Sequence, residues 1–129
     1  MNEHSFIKSI HRFLPSELYR WKIHDTYTSG VPDSFYAGPA GILFVEYKYI
    51  KKLPVKDTTQ LKTTLSPLQI QWLNRMDSFG QQTAVIVGCE DTAVTLTSGD
   101  WNSPLFKYNY VQRAVTRKDI ANWISAACL

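Results

Sequence analysis

Cysteine is scarce in this 129-residue chain. Only Cys89 and Cys128 are present, far apart and without the close spacing that a zinc site uses. A disulfide framework is thereby excluded, and two reduced thiols in a cytoplasmic setting are expected. Long apolar runs are absent as well: none approaches the ~18–20 residues that crossing a bilayer needs. The first residues, with Glu3 and His4, lack a signal-peptide profile, so no membrane role is expected. There is no glycine-rich phosphate loop and no internal repeat, which argues against a nucleotide-hydrolysing loop and a solenoid. Charge of one sign is also missing. Lys and Arg number 14 against 11 Asp and Glu, a net +3 that permits nucleic-acid binding without requiring it. With 44% hydrophobic and 19% charged residues the chain is not of disordered type, and its length suits one domain, residues 1–129.

What is present is concentrated between Gly30 and Lys48. Gly38-Pro39-Ala40-Gly41 is a turn signal, because Pro39 presets φ at the second position and glycine suits the fourth. A hairpin symmetric about Pro39–Ala40 sets Asp33 opposite Glu46. Opposed residues share a face with Cβ atoms roughly 4.5–5.5 Å apart, and Lys48, two residues beyond Glu46, joins them. Two carboxylates so close repel one another, and burial raises the cost, unless a cation lies between them. Oxygen ligands without nearby Cys or His favour Mg²⁺ or Mn²⁺ over zinc. Lys48 could stabilise an attacking hydroxide or charge growing on a phosphate. The plain alternative is a structural Glu46–Lys48 ion pair, which leaves Asp33 unexplained.

Asp33 after a Gly-x-Pro lead-in, with Glu46-Tyr47-Lys48 ending a hydrophobic strand, resembles the PD-(D/E)XK nuclease signature. Leu65-Ser66-Pro67-Leu68-Gln69-x-x-Trp72-Leu73 and the apolar strand after it are similar to the small VRR-NUC and Holliday-junction-resolvase-like branch. The likeness spans residues 3–88. It implies an α/β fold with an αβββαβ restriction-endonuclease-like core, a mixed central sheet flanked by helices and, here, an extra C-terminal helix. It further implies metal-dependent hydrolysis of DNA by Asp33, Glu46 and Lys48, with the Tyr47 carbonyl as a further metal ligand. Relatives often carry an acid on the first helix, which Glu3 matches, with Glu17 as fallback. They also have a Gln that faces the active site, which Gln69 matches, although Gln69 also reads as a helix-capping residue.

The remaining segments have their own readings. Apolar spacing at Phe6, Ile7, Ile10, Phe13 and Leu14 predicts a helix over residues 3–14, ended by Pro15. His4 and His11 on it are surface histidines by default, with phosphate contact as the alternative. Alternation over residues 18–27 predicts a half-buried strand with Tyr19, Trp21 and Ile23 inward and Arg20, Lys22 and His24 outward. Arg20 and Lys22 on that polar row suit a phosphate backbone. Residues 50–64, with Lys51 and Lys52 at their start, lack periodicity and read as a mobile basic loop able to close over nucleic acid, or as a solvated connector. Ser66-Pro67-Leu68-Gln69 opens a second helix with Leu68, Trp72, Leu73 and Met76 as its apolar side, and Gly80 stops it. Residues 83–89 predict a buried strand parallel to the Glu46 strand, and 92–97 an alternating edge strand. Residues 99–110 read as an irregular aromatic segment over the core, base stacking by its aromatics being the alternative. Thr116-Arg117-Lys118-Asp119 opens the last helix.

The expected activity is thus a metal-dependent DNA endonuclease. The chain leaves no room for a separate recognition domain, which favours recognition of DNA shape, such as branched junctions. Two symmetric cuts at a junction would then require a homodimer. The other reading is a catalytically inactive nuclease-fold protein that binds nucleic acid or serves assembly.

Overall fold

The computed structural model describes residues 1–25 and 27–129. Helix α1 (Glu3–His11) opens on a capping box between Asn2 and Ser5 and is followed by β1 (Tyr19–Lys22). Strands β2 (Ser34–Gly38) and β3 (Gly41–Tyr49) form the hairpin, and helix α2 (Pro67–Ser78) leads to β4 (Thr83–Cys89) and β5 (Thr92–Thr97). A 3₁₀ turn (Asp100–Asn102), helix α3 (Lys107–Arg113), a two-residue strand β6 (Val115–Thr116) and helix α4 (Arg117–Cys128) complete the order. The six strands lie in sequence order; β3 and β4 run parallel and every other neighbouring pair is antiparallel. The parallel pair follows from its connection, since α2 has to carry the chain back across the sheet.

Alternation along β3 divides the core in two. Leu43, Val45 and Tyr47 point to the side of α1 and α4, where they pack with Phe6, Ile10, Ile120 and Ile124. The other core joins Val85, Val87 and Leu96 of the sheet to Leu73 of α2 and to Leu61, Trp101, Leu105 and Tyr110. All of β4 is buried, as its uninterrupted apolar sequence requires. Gly38 lets the hairpin turn dock on the end of α4: a Cβ there would lie 2.5 Å from the Cys128 carbonyl, which accepts the Ala40 N–H at 2.8 Å.

Several expectations are corrected by tertiary contacts. The first helix ends at His11, three residues short of Leu14, and closes with Phe13 and Leu14 N–H groups bonded three residues back. Glu17 therefore stands in the turn before β1, off the helix. Strand β1 covers four residues rather than ten, and its aromatic row is the open one, Tyr19 being 57% and Trp21 52% exposed. Helix α1 lies against the other face, where Arg20 and Lys22 share a crevice with it, and Tyr19 and Trp21 are left facing outward. Thr26, within the expected strand, lies outside the described residues. Residues 50–64 form a loop without helix or strand, as expected, but one tied to the fold rather than free. Leu61 is buried, and main-chain bonds Leu61–Leu105, Thr59–Lys107 and Asp57–Tyr108 fasten the segment to α3 and its approach. That approach is equally unlike the irregular segment expected, since it contains the 3₁₀ turn and α3. Trp101 and Tyr110 are buried, which removes them as base-stacking groups, while Phe106 and Tyr108 stack on each other. On α2, Leu73 is buried but Leu68 is half exposed. The edge at β5 is covered by β6, which pairs with Thr92 and Ala93, and by Arg113 of α3, whose Nη2 donates to the Thr95 carbonyl at 2.9 Å.

Candidate metal centre

The hairpin register sets the site. Ser34 pairs with Val45 and Phe35 with Phe44, and continuing that register sets Asp33 against Glu46. Asp33 is still tied to the sheet edge, because its carbonyl accepts the Ile23 N–H at 2.9 Å. The segment leading to it is held from the other side. Gly30 has φ +86°, and a Cβ on it would lie 2.3 Å from the Leu68 carbonyl at the start of α2. Gly30→Ala is accordingly expected to cost about 2 kcal/mol or more, by strain and backbone displacement. Chemical denaturation measures this, and a stability within 0.5 kcal/mol of wild type would contradict the close approach.

Glu46 is 6% exposed and Lys48 Nζ lies 3.6 Å from its Oε2. Burial first, then the negative charge of Asp33, pushes the Glu46 carboxyl up to about 7; Lys48 opposes this, and Glu3 adds to it. Asp33 is raised to about 6, again by burial and next by Glu3, against the pull of the Ser34 hydroxyl, the Tyr47 N–H and Lys48. The order is physically consistent: Asp33 ionises while Glu46 still holds its proton, and Glu46 then ionises against an anion. One lysine does not offset two buried carboxylates and a third acid close enough to be felt by both. An ion pair alone leaves Asp33 and Glu46 one positive charge short, and two short once Glu3 is counted.

Among the described residues no three His, Cys, Asp or Glu side chains lie close enough to hold a metal by themselves. Two carboxylates are nevertheless an adequate protein share for Mg²⁺, which keeps several waters and takes one or two carboxylates from its host. Asp33 and Glu46 are the residues that would hold it. The Tyr47 side chain is buried on the far side of the sheet, so only its main chain borders the site. Glu3, exposed on the first turn of α1, reaches the pair through its charge, whereas Glu17 enters the balance of neither carboxylate. Gln69 accepts the Ser66 N–H at 2.9 Å through Oε1, so its carbonyl is occupied by the cap and only its amide N–H donors are free to turn elsewhere.

The cationic residues expected to follow a phosphate backbone are dispersed. Lys22 is exposed on the α1 side of β1, and Lys51 and Lys52 are exposed just beyond β3. Arg20 is partly committed, Nη1 to the His11 carbonyl and Nη2 to the Pro15 carbonyl, both at 3.2 Å, closing the end of α1. Sequence reasoning missed one feature altogether. On the α1 side a line of hydrogen bonds runs from His11 Nε2 to Tyr36 Oη and on to Tyr47 Oη, 2.7 Å each. Ser34, on the same strand face as Tyr36, donates to Asp33 Oδ1 at 3.2 Å. Burial, then the Arg20 charge, holds His11 down at about 4, so it is neutral near pH 7. Ser34 and Tyr36 share a strand face because they are two residues apart, but no local signal in the sequence announces their partner on the helix.

No protein-family model matches this chain, and no curated protein matches it. Among solved structures it is similar to Hjc, a Holliday junction resolvase from the archaeal hyperthermophile Archaeoglobus fulgidus. The two share 13% identity with a TM-score of 0.57, over 92% of this chain and 99% of that one. At this identity the likeness shows the fold, the restriction-endonuclease-like arrangement that the sequence resemblance implied.

Proposed function

We propose that the protein is a metal-dependent endonuclease that cleaves DNA phosphodiester bonds, selecting branched DNA by its shape. The observation that carries this reading is the Asp33–Glu46 pair: two largely buried carboxylates, both raised, with a single lysine beside them. Such a site is costly as pure structure and becomes favourable when a divalent cation enters. A bound Mg²⁺ or Mn²⁺ would supply Lewis acidity and a lowered water pKa. Around it, Asp33 and Glu46 fix the cation's position, and Lys48 holds positive charge where a hydroxide or phosphate oxygen would come. Glu3 can hold a water at the rim of the site. The likeness to a resolvase supports junction DNA as substrate.

The test is incubation of purified protein with linear duplex, single-stranded, flap and four-way-junction DNA, in Mg²⁺, in Mn²⁺ and in EDTA. Cleavage of the branched substrates with either metal, and none in EDTA, is expected. Equal activity in EDTA would overturn the reading, and a metal-dependent preference for linear duplex would overturn its shape-selective part.

Paired cuts at a junction need two sites, and a second copy of this chain is the partner we infer. The α2 side of the sheet continues from the site as an aromatic row: Tyr19 and Trp21 pack edge-on against Phe35, Phe35 against Phe44, and Phe44 against Trp72. Exposed Leu68 and Ile42 border it. Tyr19, Trp21, Leu68 and Ile42 are its exposed members, offering on the order of 100 Å² each, while Phe35, Phe44 and Trp72 are partly buried between them, so the row supplies the apolar centre of an interface, about half of the roughly 800 Å² per partner of a standard one. Sedimentation equilibrium is expected to give a dimer, and Trp21→Glu a folded monomer that nicks one strand without the paired second cut. A monomeric wild type would refute this assembly.

A further inference from the structure

We propose that the crevice between α1 and the β1–β2 strands is a binding site for one unpaired nucleotide, its phosphate on Lys8 and Lys22 and its base against Ile7 and His11. The crevice is a cavity of about 390 Å³, within the roughly 300–1,000 Å³ range of small-ligand sites. Its walls come from three elements: His4, Lys8 and His11 on α1, Arg20 and Lys22 on β1, and Ser34 with Tyr36 on β2. Three of these carry fixed positive charge, and none of the described residues that line the cavity is a carboxylate. Among the described residues, neither Lys8 nor Lys22 is in an ion pair. Both lysines are exposed, so their ammonium groups can meet a phosphate that is still partly hydrated. Arg20 is tied to two carbonyls but keeps further N–H donors to add to the same field.

The inner part has a different chemistry. Ile7 supplies an apolar surface, and the His11 ring stands edge-on to Tyr36 with its Nε2 bonded to the Tyr36 hydroxyl. A planar base has a π-face for the imidazole and an edge for the His11 ring nitrogen that Tyr36 leaves free, Tyr36 and Ser34 being buried behind it as the floor of the recess. A duplex is too wide to enter such a recess, so the ligand is a nucleotide out of its stack. The place is pertinent because Ser34, which lines the cavity, donates to Asp33. A nucleotide seated here would lie next to the strand passing the metal centre, giving preference for DNA with unpaired nucleotides. The choice of a nucleotide rests on the nuclease reading; the cavity's charge and shape do not.

The test is titration of the ¹⁵N-labelled wild-type protein in EDTA with deoxyadenosine 5′-monophosphate, deoxyadenosine and inorganic phosphate. Without metal, failure here is separate from failure of the cleavage assay. Shifts clustered at Ile7, Lys8, His11 and Tyr36 are expected, with the monophosphate binding at least tenfold tighter than either fragment. Lys8→Ala with Lys22→Ala should weaken it about tenfold or more, and both positions are exposed, so the fold is retained. Ile7→Trp, filling the inner part, should abolish the preference for the monophosphate over phosphate. Phosphate binding as tightly as the monophosphate, shifts located elsewhere, or an unchanged affinity in the lysine variant would each overturn the proposal.

Discussion

Asp33→Asn is expected to reduce metal-dependent cleavage by about 10³-fold or more, the scale of losing one charge that the transition state depends on, while making the metal-free protein more stable at pH 8. The two effects have one cause. In the folded chain Asp33 is raised from 3.8 to about 6, so keeping it ionised at pH 8 costs about 1.4 kcal/mol per unit, or roughly 3 kcal/mol. A neutral amide of the same shape removes most of that cost. The sign follows from proton counting. The native state holds this proton to higher pH than the unfolded chain does, so its stabilising contribution is complete below about 4 and is lost as pH rises through 6. The gain of the variant should therefore be largest at pH 8 and shrink as pH falls toward 4. His11, lowered by burial, acts in the opposite sense, but it is common to both proteins and cancels in the difference. Denaturant melts at several pH values measure this. A variant that loses cleavage and is also less stable at pH 8 would mean that Asp33 is a structural anchor.

The second large effect is on pH. Binding a divalent cation needs both carboxylates ionised, and with values of about 6 and about 7 the doubly ionised form falls from nearly all molecules at pH 8 to a small share at pH 6. Apparent Mg²⁺ or Mn²⁺ affinity should drop about 20-fold across that interval, then more steeply below pH 6 as two protons compete with each ion. Calorimetry in buffers of different ionisation enthalpy would read the released protons directly. Affinity that does not change between pH 8 and 6 would contradict a site made of these two groups. Saturating metal should also stabilise the fold, by about 2.7 kcal/mol at one hundred times its dissociation constant.

Where the sequence was legible, the determining information was local. The Pro39–Ala40 turn alone set the register that opposes Asp33 and Glu46, and that register is found in the β2–β3 pairing. Ser66 and Thr116 opened α2 and α4 because each cap needs only a residue three positions on. The unbroken apolar run of β4 marked a strand buried on both faces. What could not be read depended on distant partners. Nothing near Leu61 indicates that it packs under Leu105 and Trp101, so a segment rich in lysine and threonine resembled a free loop. Alternation in β1 revealed two faces but not which of them α1 would cover, and the aromatic one was left open. Helix α3 has no capping serine or aspartate; Asn109, reaching back to the Phe106 N–H, stabilises its start from inside. For the site, the acids, the lysine and the first-helix Glu3 came from spacing and resemblance, whereas the His11–Tyr36–Tyr47 line arises only when α1 packs on the sheet.

The central claim is that Asp33 and Glu46 face each other in order to hold a divalent cation. Electron paramagnetic resonance of Mn²⁺ titrated into the protein at pH 8 tests it most directly, because free and bound ion give separable signals. Tight binding by the wild type, weakened at least a hundredfold in Asp33→Asn and in Glu46→Gln, is the predicted result. Mn²⁺ retained equally by all three proteins, or by none, would contradict the account.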